Sequence, residues 1–82
     1  MKQQEKGYDY WQEKINRYCK ANKIEGELRF QIASIIYDRE RILQGGHFAK
    51  AVNSNDLYET VRRADTYNLR HIRDIIIALD NI

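Results

Sequence analysis

The groups in this chain able to act as nucleophile, base or metal ligand are Cys19, His47, His71 and a scatter of carboxylates. Catalysis of group transfer or hydrolysis needs a nucleophile, a base and a charge-stabilising donor converging on one point, and none of these residues stands at a known catalytic spacing. Cys19 falls at the edge of an apolar stripe, which suits a small buried hydrophobe. His47 follows Gly45 and Gly46 and opens a helix. His71 lies between Arg70 and Arg73, and no second histidine or cysteine stands at i+3 or i+4 to make a metal pair. Gly45-Gly46 is followed by neither a Lys-Ser/Thr pair nor a third glycine, so this is not a phosphate-cradling loop. The expectation is a non-enzymatic protein with no metal and no cofactor.

Binding chemistry is better represented. On a first helix Tyr10, Lys14 and Arg17 adjoin one another, with Lys20 and Lys23 further round. An aromatic ring beside cations suits an acidic protein surface or a phosphate-bearing ligand, and a solvated back face is the plain alternative. Further on, Tyr58, Arg62 and Asp65 share one flank of a helix at i, i+4 and i+7, Arg63 leaves on the other, and Tyr67 and Asn68 lie where that helix breaks. Arginine and tyrosine anchor interfaces, and a helix break exposes backbone groups to a ligand. The alternative is a structural network in which Arg62 and Asp65 fix the angle between two helices. The candidate partner-binding residues are therefore Tyr10, Arg17, Tyr58, Arg62, Arg63, Asp65, Tyr67 and Asn68.

A helix-turn-helix reading competes for the same region. Ala51 would take its buried position, Asn55 its turn and Val61 the second helix, with Arg62 and Arg63 immediately after. Ser54 replaces the usual apolar residue before the turn, and Asp56 and Glu59 would face phosphate.

These residues must be positioned by helices. No proline occurs in the chain, and glycine is confined to positions 7, 26, 45 and 46, which leaves long stretches free to be helical. Tyr8, Trp11, Ile15, Tyr18 and Cys19 form one stripe of a first helix starting near Asp9, with Asp9 and Gln12 spaced as a capping box; Asn22 ends it. A second helix is expected from about Glu25 to Gln44, closed by Gly45-Gly46. One face carries Leu28, Ile32, Ile35, Ile36, Ile42 and Leu43, the opposite one Phe30, Ala33 and Tyr37, so the helix is sandwiched, either within the chain or at a homodimer seam through Phe30, Ala33 and Tyr37. A short helix over 47–52 turns Phe48 and Val52 inward, and Asn53, Ser54 and Asn55 make the turn after it. A fourth runs from Asp56 to about Thr66, with Leu57, Val61 and Ala64 inward and a Glu59–Arg63 pair contributing about 0.3–0.5 kcal/mol. Asn68 marks a kink or cap. The last, from Leu69 to about Asp80, presents Leu69, Ile72, Ile75, Ile76 and Leu79 on one face and leaves Ile77 on the other. The fold class is all-α: a compact bundle of about five helices, two longer and N-terminal, three shorter and C-terminal.

Composition sets outer bounds. Eighty-two residues make a single domain, 1–82, with residues 1–7 flexible, and a core this small gains from a second chain. A formal charge of +2 is too small to imply a polyanion partner by itself. One cysteine, no signal-like start and no apolar run long enough for a bilayer predict a cytoplasmic protein without membrane association.

The order Gly46, Phe48, Ala51, Val52, Asn55, Asp56, Leu57, then Arg63, Ala64, Asp65 and Asn68, then Ile72, Ile75 and Ile76, resembles a family of small helical proteins encoded by bacteriophages and prophages. The similarity covers Ile35 onward. The chain lacks the prolines that such proteins carry before the glycine and after the last helix, and its N-terminal helix lies outside the resemblance. What the resemblance implies is phage or mobile-element origin, a bacterial host cell, and action by binding. Of the roles open to such proteins, an inhibitor of a host defence complex, of the anti-CRISPR or another anti-defence type, best suits a near-neutral helical domain rich in tyrosine. A helix-turn-helix regulator of nucleic acid is the second reading and a nucleotide-signal sponge the third.

Overall fold

The computed structural model describes residues 7–82, so the flexible segment expected over 1–7 falls, apart from Gly7, outside the described residues. Among them the chain forms helices and no strand: α1 (Tyr8–Ala21), α2 (Gly26–Arg39), α3 (His47–Asn53), α4 (Leu57–Arg63), α5 (Thr66–Arg70) and α6 (Ile72–Asn81). The all-α class holds, with six helices in place of about five. The extra one arises because the fourth helix stops at Arg63 and a separate short α5 precedes α6.

Three of the six helices end in the same way. The residue two past the last helical one takes a left-handed backbone, with φ of 56° at Lys23, 62° at Arg41 and 59° at Asn55. After α1, Ile24 N–H donates to Cys19 C=O at 2.8 Å and Lys23 N–H to Lys20 C=O at 3.3 Å. After α2 the same pair runs from Ile42 to Tyr37 at 2.8 Å and from Arg41 to Asp38 at 3.1 Å; after α3, from Asp56 to Ala51 at 3.1 Å and from Asn55 to Val52 at 3.0 Å. These are Schellman ends, which satisfy carbonyls that a helix terminus leaves open.

The second of them corrects the sequence reading. α2 stops at Arg39, not near Gln44, and Arg41 rather than a glycine supplies the left-handed residue. The reversal lets Ile42 fold back and pack against the core. Gly45 serves a different purpose: a Cβ there would sit 2.7 Å from Ala49 Cβ and 3.1 Å from Asp38 Cβ, so glycine is required for close approach of the loop to α2 and α3. At the start of α1 the Asp9–Gln12 capping box does not form; Gly7 is the N-cap and no side chain caps the helix.

α2 is the centre of the fold. It packs against α1, α3 and α6, while α4 leans chiefly on α3. Ile15 and Cys19 from α1, Ile32, Ile35, Ile36 and Tyr37 from α2, Phe48 and Ala49 from α3, and Ile75 and Ala78 from α6 make one core. Burial of each isoleucine contributes on the order of 2–3 kcal/mol. The body measures 45 × 27 × 17 Å, and its least dimension leaves room for about two helix layers, so outer faces of the shorter helices stay uncovered. No helix among the described residues is long and apolar enough to cross a membrane.

One polar junction holds α3 to α2. Asp38 Oδ1 accepts from Gly45 N–H at 3.0 Å and Lys50 Nζ at 3.2 Å, and its Oδ2 accepts from Asn53 Nδ2 at 2.9 Å. Asn53 Nδ2 also donates to Ile35 C=O at 3.0 Å. The Gly45 N–H, then the Asn53 amide, hold the Asp38 carboxyl below the usual carboxylate range; burial opposes them, and Lys50 adds to them. An acid in the last turn of a helix opposes the helix dipole, so this carboxylate depends on those donors.

Candidate functional site

The residues singled out in the sequence are carried by α1, α4 and the α4–α5 break. The turn between α3 and α4 sets the geometry of the larger group. Asn55 is left-handed, Asp56 caps α4 by accepting from Glu59 N–H at 3.1 Å, and together they fix the roll of α4. That roll overturns the expected inward stripe. Leu57 is 78% exposed and Val61 47%, while Thr60 is buried and Ala64 only half-buried. Turn and cap hydrogen bonds, not apolar spacing, decide which side of this seven-residue helix faces inward.

The outer face of α4 is consequently apolar and aromatic at its centre. Leu57, Tyr58 and Val61 lie within one turn of one another, and Tyr58 is 74% exposed. Arg62 borders them. Its Nη1 approaches Glu59 at 3.4 Å, and Arg63 Nε meets the same carboxylate at 3.1 Å, so the expected Glu59–Arg63 pair forms and two arginines share one acid. Exposure limits each such pair to under about 1 kcal/mol. Tyr58 and Arg62 do share a flank as expected.

Beyond them the grouping dissolves. The helix breaks at Ala64 and Asp65, four and three residues before Asn68. Asp65 caps α5 by accepting from Asn68 N–H at 2.8 Å and makes no bridge to Arg62, so the network that was to fix the helix angle is absent among the described residues. Asn68 is no kink: it lies inside α5, buried, and its Oδ1 has no hydrogen-bond partner. A partner molecule cannot reach it directly. Tyr67 packs its ring 4.5 Å from that of His71, which itself lies 3.5 Å from Asp74 at the entrance to α6.

Tyr10 and Arg17 stand elsewhere, on α1, which packs chiefly on α2. Tyr10 meets Trp11 edge-on at 5.0 Å, and Lys14 lies over both rings at 5.6 and 5.9 Å. Arg17 pairs with Glu13 at 2.8 Å across one helical turn. The basic and aromatic face thus spends much of its charge and ring surface on its own neighbours. Arg39, reaching over from α2, stacks on Trp11 at 5.5 Å.

The candidate nucleophiles and bases are dispersed. Cys19 belongs to the core, where burial pushes its thiol up against the lowering effect of Arg29, and a buried neutral thiol is a poor nucleophile. His47 opens α3 and His71 separates α5 from α6. For the helix-turn-helix reading, Ala51 is buried and Asn55 has the left-handed turn conformation, but Val61 faces outward instead of into the core. At the C-terminal end Ile75 is buried and Ile77 exposed as expected, but Leu69, which falls in α5, and Ile76 are exposed instead of inward.

Sequence reasoning missed two things here. Leu57 and Val61 belong to the surface, and no periodicity could show it. Asp38 carried a readable signal, an acid near the C-terminus of an otherwise apolar helix. No protein-family model matches this chain, and no curated protein or solved structure shows significant similarity to it.

Proposed function

We propose that this protein is a non-enzymatic inhibitor, of phage or mobile-element origin, that binds a host defence complex of the anti-CRISPR or another anti-defence type, with the outer face of α4 as its contact surface. The observation that carries protein binding is the exposure of Leu57, Tyr58 and Val61 together on one helix face beside Arg62. Exposed apolar side chains grouped in this way, with Tyr and Arg among them, are the composition of an interface centre. The fold does not need them: the core closes on α1, α2, α3 and α6, and α4 is fixed by its turn and cap. The assignment to a defence complex comes from the resemblance of the chain to phage-encoded proteins.

The test is expression in bacterial cells with an active CRISPR system, coupled to binding measurements with the purified effector complex. The expected result is loss of interference and a stable complex, weakened at least about tenfold by Leu57→Ser or Tyr58→Ala while the helical circular-dichroism signal persists. Intact interference and no association with the effector would remove the reading. The buried Ala51 and left-handed Asn55 favour one alternative, a helix-turn-helix regulator. It predicts salt-dependent duplex binding that is lost on Arg62→Ala with Arg63→Ala, and the absence of any DNA retardation at low salt removes it.

A further inference from the structure

The junction of α1 and α2 carries positive charge that the fold leaves unanswered. It borders a surface pocket of about 530 Å³, lined by Lys20 from the last turn of α1, Lys23 from the connecting turn and Arg29 from the start of α2. Neither lysine makes an ion pair or a side-chain hydrogen bond among the described residues, and Arg29 donates to the neutral amide oxygen of Asn16. We propose that this pocket binds a small aliphatic phosphate monoester, with the phosphate held between Lys20, Lys23 and Arg29.

Charge selects the anion. Three positive groups stand against one carboxylate, that of Glu25, so the residues lining the pocket have a net charge of +2. A phosphate monoester carries about −1.5 to −2 at neutral pH and balances them, whereas a carboxylate supplies half as much. The donors suit it as well: a guanidinium offers paired N–H groups to an oxyanion, and two ammonium groups add compact point charges. The Asn16 bond holds the guanidinium at the wall and leaves its other N–H groups for a ligand. The carbonyls at the end of α1, which would repel an anion, are already taken: Cys19 C=O accepts from Ile24 N–H at 2.8 Å, Lys20 C=O from Lys23 N–H at 3.3 Å and Tyr18 C=O from Asn22 Nδ2 at 2.8 Å.

The rest of the ligand follows from the other walls. Cys19 and Ile24 supply apolar surface, and no aromatic ring lines the pocket. A nucleobase, free or in a single strand, therefore has no platform to stack on, and a short carbon skeleton fits better. The backbone adds one further sign. Two residues of this turn are left-handed, Lys23 at φ 56° and Gly26 at φ 63°. Gly26 has open space where a Cβ would stand, which keeps the mouth clear. At position 23 glycine would serve the turn better than lysine, so the ammonium group there answers no need of the fold.

The test is a nuclear magnetic resonance titration of the full chain with inorganic phosphate and with glycerol 3-phosphate, at an ionic strength held constant with chloride. Both should give saturable shifts at the amides of residues 20–26, and acetate should bind at least about fivefold more weakly. Lys20→Gln with Lys23→Gln should weaken phosphate binding about tenfold or more with the helical circular-dichroism signal unchanged, since both side chains are exposed. Lys23→Gly separates ligand binding from a structural role: it should hold or raise the thermal midpoint while weakening binding. Arg41→Gln, an exposed arginine outside this pocket, should leave binding unchanged. Shifts that do not saturate, binding indifferent to the two lysines, or an equal loss with Arg41→Gln overturns the proposal. So does tighter binding of adenosine monophosphate or of an oligonucleotide than of glycerol 3-phosphate. No variant here alters α4, so its surface is judged separately.

Discussion

The Asp38 junction and the outer face of α4 handle polar and apolar groups in opposite ways. At the junction, one carboxylate, one amide and one lysine consume each other's hydrogen-bonding capacity between α2, α3 and the loop at Gly45. On α4, apolar and aromatic side chains stand in solvent beside a lightly paired arginine. Polar residues at helix ends therefore mark folding here. On the outer face of α4, by contrast, hydrophobic residues found no place in the core.

This contrast can be broken by mutation. The largest effect is expected at the junction: Asp38→Ala leaves the Gly45 N–H and the Asn53 amide without their acceptor and should cost about 2–4 kcal/mol. Thermal unfolding reads this directly, since about 1 kcal/mol shifts the midpoint by roughly 4–8 °C in a domain of this size. The same carboxylate gives a pH signature. Its folded value lies below the ordinary 3.8, so its stabilisation is present above that pH and is lost as pH falls through the folded value. Urea midpoints of the parent should drop more steeply below pH 3.8 than those of Asp38→Asn; parallel curves would show that the junction carries no net ionic stabilisation.

Next in size is Gly45→Ala, whose Cβ would meet Ala49 Cβ at 2.7 Å; the forced shift should cost about 1–3 kcal/mol in denaturant titrations. Arg41→Gly has the opposite sign. It relieves a left-handed non-glycine residue and should stabilise by about 1 kcal/mol, provided that the Ile42-to-Tyr37 hydrogen bond is kept. The smallest change in stability is expected on α4: Leu57→Ser with Val61→Ser should stay within about 0.5 kcal/mol of the parent while abolishing partner binding. A large loss of stability there would mean that α4 is a buried structural element after all, and the contrast would fail.

The all-α class, α1 and its Ile15–Cys19 stripe, and α3 with Phe48 inward were legible because apolar spacing at helical period and the absence of proline act locally. The end of α2 was not. Glycine is the commonest left-handed residue, so Gly45-Gly46 drew the boundary, yet folding Ile42 back against the core outweighed the cost of a left-handed arginine at position 41. Of the candidate site, the flank of Tyr58 and Arg62 and the Glu59–Arg63 pair were legible, since they follow from position along a helix. The break at Ala64 and Asp65 and the burial of Asn68 were not, because Asp65 is as good a cap as Asn68 and only packing chose between them.

By itself the sequence determined that the chain is helical and which residues within a helix can share a face, since both depend on neighbours within one or two turns. The roll of α4, the gathering of Gly45, Lys50 and Asn53 around Asp38, and the exposure of Phe30 were decided by tertiary structure. Each depends on how a short element is held by a turn or a distant donor, and hydrophobic periodicity carries no record of either.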